Sequence, residues 1–112
     1  MTVRPIVSTA AAAVLAGRSS APLILRLDGV KGGGLVRIYV SDGTHAAYAG
    51  TSDARYVGYG AFEAGGSPRS STIVVSGVDA LRKASKNGPI ELHFVSDHGQ
   101  TTVTTAVLDA GS

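Results

Sequence analysis

Leucine recurs at every second position in Leu23-Ile24-Leu25-Arg26-Leu27-Asp28, with Arg26 and Asp28 on the alternate positions. Successive side chains of a strand point to opposite faces, so this spacing predicts a strand buried on one side. Asp28-Gly29 and then Gly32-Gly33-Gly34 predict its end, because glycine reaches backbone angles other residues resist. The pattern returns in Leu35 to Val40, where Val36, Ile38 and Val40 share one face and Arg37 and Tyr39 the other. Ser41-Asp42-Gly43-Thr44 predicts a turn after it.

Further strands are expected around Arg55 to Gly60 and Ser71 to Val75, with Gly65-Gly66-Ser67-Pro68 as the loop between them. Tyr56, Val57 and Tyr59 favour strands, while Gly58 and Gly60 point to a bulge or a close backbone approach. Ile90, Leu92 and Phe94 alternate with Glu91 and His93, and a last Thr- and Val-rich strand is expected from Thr101 to Leu108. One helix is predicted, Val78 to Ser85. Ser76 and Asp79 read as a loose capping box, Arg82, Lys83 and Lys86 crowd the C-terminal end, and Asn87-Gly88-Pro89 stops it.

The N-terminal stretch is ambiguous between two readings. Arg4 followed by apolar Ile6 to Ala16 imitates a secretory leader, but Pro5, Ser8 and Thr9 interrupt it. We expect an uncleaved structural strand or arm over residues 1–20, ahead of a core over 21–108. The resulting expectation is an all-β fold, a single β-sandwich of about seven short strands with one short helix.

A length of 112 residues fits one domain. A chain of this size can bury roughly two-thirds of its unfolded surface. Aromatic residues make up only 5 % and Trp is absent, whereas 15 Gly fall in clusters between apolar runs, as strands and tight turns require. The formal charge of +2 comes from basic residues spread along the chain rather than gathered in a stripe, so no nucleic-acid partner is expected. Without cysteine, disulfides and thiolate chemistry are excluded. No apolar run approaches the roughly 20 residues of a membrane span.

In this order the segments resemble the C-terminal β-sandwich domain of tyrosinases and polyphenol oxidases. The residues that carry the likeness are Leu25-Arg26-Leu27-Asp28-Gly29-Val30, Val36-Arg37-Ile38-Tyr39-Val40, and Tyr48-Ala49-Gly50-Thr51 leading to Tyr59-Gly60. Val78-Asp79-Ala80-Leu81-Arg82-Lys83 and Ile90-Glu91-Leu92-His93-Phe94-Val95 complete it, so that it spans residues 20–108. The copper-binding helical domain of that family has no counterpart in the sequence. The resemblance therefore implies a non-catalytic accessory part that packs against a separate catalytic chain and screens its copper-site entrance.

Candidate chemistry is sparse. A metal site needs three or four converging ligands. His45, His93 and His98 lie in separate segments, so surface histidines are the expectation and no metal or cofactor is predicted; a copper site at His93, Asp97 and His98 is the sharper alternative. Ser76 lacks the G-x-S-x-G frame of a hydrolase nucleophile, and the scattered acids offer no glycosidase pair. Gly32-Gly33-Gly34 leads into a strand rather than the helix that a phosphate loop requires. The chain is not expected to be an enzyme.

Tyr48, Tyr56 and Tyr59, with Arg55 and Phe62, form the best candidate surface. Tyrosine brings large contact area with few rotatable bonds and suits protein interfaces; the competing reading is that these rings fill the core. The expected function is an accessory or interaction domain with a protein partner. The alternatives are a structural subunit of a larger assembly, through exposed sheet edges, and a ligand-binding module, which the lack of Trp disfavours for sugars.

Overall fold

The alternating segments pair into two four-stranded sheets. A computed structural model describes residues 2–41, 47–62, 69–97 and 101–111. Among these the strands are β1 (Thr2–Val3), β2 (Ile6–Val7), β3 (Leu23–Val30), β4 (Gly34–Val40), β5 (Tyr56–Phe62), β6 (Arg69–Val74), β7 (Leu92–Ser96) and β8 (Thr105–Ala110). Two helices, α1 (Thr9–Leu15) and α2 (Val78–Ser85), and a 3-10 turn at Gly50–Ser52 complete the order. The first sheet runs β1-β7-β4-β5 and the second β2-β8-β3-β6. Every pairing is antiparallel except the parallel match of β2 with β8.

The inner faces follow from the period of two. Leu23, Leu25 and Leu27 of β3, with Ile73, Ala106 and Leu108 of its neighbours, face Val36, Ile38 and Val40 of β4, Val57 and Phe62 of β5, and Leu92 and Phe94 of β7 in one core. The fold is all-β, as the sequence predicts. Two boundaries shift for a physical reason. β3 continues past Asp28-Gly29 to Val30, because Gly29 takes a φ of 67° and the pairing with β6 slips a register there. The final strand begins at Thr105 rather than Thr101, since Thr102 makes only an isolated bridge to Lys31.

The register slip of β5 against β4 at Ile38/Tyr39 is the bulge anticipated at Gly58. Gly58 and Gly60 also let β5 lie on β6. A Cβ at Gly58 would stand 3.1 Å from the Val74 carbonyl, and one at Gly60 would stand 2.9 Å from Phe62 and 3.1 Å from Ile73.

The N-terminal segment is only partly strand. After β1 and β2 the chain forms α1, which the sequence reading missed. The Ser8 hydroxyl accepts from the Ala11 N–H at 3.0 Å, capping the first turn. Gly17, at φ 78°, closes the last: its N–H donates to the Val14 carbonyl and that of Arg18 to the Ala13 carbonyl. Between them lies an alanine run, the best helix former.

α2 occupies the predicted span, but its cap differs. Gly77, not Ser76, is the N-cap, and the Ser76 hydroxyl donates instead to the Val57 carbonyl at 3.1 Å. Together the helices close one end of the sandwich. α2 sits where β4 ends and β5 begins, burying Leu81, while α1 packs against β8 and α2 and buries Ala11, Val14 and Leu15. Arg82 ties them by donating to the Val14 carbonyl at 3.1 Å. No helix among the described residues is long and apolar enough to cross a membrane.

Candidate functional site

One transverse row of the first sheet's outer face joins all four strands: Thr2 opposite His93, His93 opposite Tyr39, Tyr39 opposite Tyr56. An outer face should meet water, yet Tyr39 is only 2 % exposed. The segment that leads into β5 covers it. Tyr48 stacks on Tyr39 with ring centroids 4.3 Å apart and on His93 at 5.1 Å, and Tyr56 meets Tyr39 edge-on at 5.8 Å. The Arg55 guanidinium lies 4.2 Å from the Tyr48 centroid. The Tyr48 ring is thus held by Tyr39 and by Arg55, and the cation sits over its electron-rich face.

Asp53 fixes that cation. Its carboxylate accepts from the Arg55 Nε at 2.9 Å and Nη2 at 2.7 Å, from the Arg55 backbone N–H at 2.9 Å, and from the Ala49 N–H at 3.0 Å. Nη2 also donates to the Ala47 carbonyl at 3.1 Å. These bonds, the Arg55 side chain first, hold the Asp53 carboxyl far below the usual carboxylate range. Burial pushes the Tyr56 phenol up and the His93 imidazole down. His93 Nδ1 is 3.2 Å from the Thr2 hydroxyl. The assembly is a clamp that pins a loop to a sheet.

The five residues singled out from the sequence therefore part company. Arg55 is 8 % exposed and committed to the clamp, Tyr48 and Tyr56 are half-buried within it, and Phe62 is a core side chain. Tyr59 alone projects, 60 % exposed. Asp53 and Tyr39, which complete the clamp, were missed. Asp53 had a local signal: a carboxylate accepting from the N–H two residues on is an Asx-turn. His45 and His98 lie outside the described residues, as do the Ser41–Thr44 turn after Ser41 and the whole of the 65–68 loop. Among the described residues no three His, Cys, Asp or Glu side chains converge as metal ligands would.

What remains open is the side of the sandwich where β5 and β6, each the edge of its sheet, run together. A groove of about 470 Å³ lies between them, floored by Gly58, Gly60 and Ile73 and walled by Ser71, Thr72 and Ala61. Tyr59 stands on one lip and Val74, 72 % exposed, on the other. Proteins blunt free edges with charge or proline. Here β5 carries neither, and β6 only Arg69 at its start.

No protein-family model, no curated protein and no solved structure matches the chain.

Proposed function

We propose that the chain is a non-catalytic interaction domain that binds an extended segment of a larger protein along the β5/β6 edge. The observation that carries this is the pairing of two exposed apolar side chains, Tyr59 and Val74, with a groove between two undefended edge strands. An added strand gains main-chain hydrogen bonds from the edge and side-chain contacts from the lips. Under the resemblance to the tyrosinase C-terminal domain, the partner is a copper-oxidase-like catalytic chain. Tyr59 is then the ring free to reach it, since Tyr48 is held by Arg55.

A photo-crosslinking amino acid in place of Tyr59 should capture a discrete partner from the native host. Tyr59→Ser with Val74→Ser should abolish co-purification while leaving stability within about 0.5 kcal/mol, as for other exposed sites. Capture that survives the double substitution refutes the site.

A second reading is a structural subunit that assembles through the same edge. Antiparallel pairing of β6 with itself would set Arg69 opposite Val74 of the other copy, so that no like charges face each other. Solution mass separates the two: a closed oligomer of the pure chain favours the subunit, a monomer the partner.

A further inference from the structure

The remaining large exposed apolar side chains, Ile6 at 64 % and Val7 at 37 %, lie at the opposite edge of the second sheet, beside the helices. Two hollows open there on either side of the C-terminal turn of α2. One, of about 590 Å³, lies between α2 and the end of β4. The other, of about 400 Å³, lies between α2 and α1, with Val7, Leu15 and Ile90 in its lining. Gly88 and Pro89 border both, so the two make one interrupted trough.

Its charge is mostly basic, with one carboxylate, Asp79, in the lining of the first hollow. Lys83 lines the first hollow, Lys86 the second, and Arg18 follows the end of α1. None of the three forms an ion pair among the described residues. Glu91 lies 3.6 Å from Arg4, and Asp79, fully exposed, lies 3.8 Å from Arg82, which leaves three cations against one lining carboxylate. Cations at a helix C-terminus favour the helix dipole, which accounts for Lys83 in the last turn of α2 and Lys86 at its C-cap. It does not account for Val7, 37 % exposed, in the lining beside Lys86.

We propose that this trough is a second docking site, independent of the β5/β6 edge, for an acidic amphipathic helix of a partner protein. Apolar side chains on one face of such a helix fill the hollows, and Asp or Glu on its flanks meet Lys83, Lys86 and Arg18. Concavity selects a peptide over an anionic membrane, because a lipid surface would contact the rims and leave the hollows empty.

The test uses the full chain and a labelled amphipathic peptide with leucines on one helical face and glutamates on the other. Binding should saturate and weaken as salt rises. Lys83→Glu with Lys86→Glu should lower affinity roughly two- to thirtyfold, the range for two exposed ion pairs. Replacing the peptide's glutamates by lysines should reverse that preference, and Ala12→Glu, on the exposed wall, should weaken the acidic peptide again. Tyr59→Ser with Val74→Ser should bind it as the parent does, which separates this site from the edge. Equal binding of acidic and basic peptides overturns the proposal, as does indifference to the lysine substitutions. So does flotation with phosphatidylserine-rich vesicles in the absence of any peptide binding.

Discussion

Gly77→Ala should damage this fold severely. Gly77 has a negative φ of −95°, so the backbone angle is not the obstacle. The space is. A Cβ built there lies 1.9 Å from the Tyr56 carbonyl oxygen and 3.0 Å from the Val57 Cα, both backbone atoms that cannot rotate away. Relief requires the chain to open by about 1 Å, well beyond what packed interiors absorb without loss. The junction that must open is also bonded: the Val57 carbonyl accepts from the Ser76 N–H at 2.9 Å, the Gly77 N–H at 3.0 Å and the Ser76 hydroxyl at 3.1 Å. Overpacking costs about 1–3 kcal/mol. One or two hydrogen bonds add about 0.5–1.5 kcal/mol each. The expected total is about 1.5–6 kcal/mol, a large share of the roughly 5–15 kcal/mol that holds a domain together. Urea unfolding followed by far-ultraviolet circular dichroism measures it, with an unchanged denaturant slope as the check on two-state behaviour. Ser76→Ala, which removes only the hydroxyl bond, is the control and should cost about 1 kcal/mol. If Gly77→Ala costs no more than that control, the close approach of α2 to β5 is not as described.

Other outcomes follow from the clamp and the core. The Asp53 carboxyl titrates far lower folded than unfolded, so its contribution is complete above about pH 4 and is lost as pH falls through the folded value. Near-ultraviolet circular dichroism of the tyrosines should change only on strong acidification, well below the usual carboxylate range, and Asp53→Asn should show the altered spectrum already at neutral pH. His93 is a base whose folded pKa lies below its ordinary 6.5, so stability should decline as pH drops from about 7 to 5, and His93→Gln should flatten that slope in urea titrations. Leu81→Ala should cost about 2–5 kcal/mol, because Leu81 is fully buried and anchors α2.

The core strands were legible because alternation survives without context: Leu23, Leu25 and Leu27 could face only one way, and they do. The bulge at Gly58 was readable for the same reason, since two glycines interrupting a strand need a backbone explanation. α1 was missed although its marks were present, with Ser8 before an alanine run and Gly17 after it; the run's apolarity suggested a strand or leader and hid the caps. The clamp was only half readable. Tyr48 and Arg55 looked like partner contacts because sequence shows aromatic content but not which face of a sheet a loop will cover. Tyr39 alternated as an outward residue and is outward; that Tyr48 shields it depends on the path of the loop, a tertiary fact. Val74 sat inside the ordinary strand pattern expected from Ser71 to Val75, and only the sheet order makes it a lip of the open edge.

Within its first seven residues the chain changes sheets, β1 joining β7 and β2 joining β8 across Arg4 and Pro5. Because β2 runs parallel to β8, opposing tension on the two chain ends loads their hydrogen bonds sideways and together rather than peeling them one at a time. A domain tethered at both termini in a larger assembly would thus give up β1 from β7 and then resist stretch at Ile6 and Val7, and the strands between would stay slack until that short seam tore.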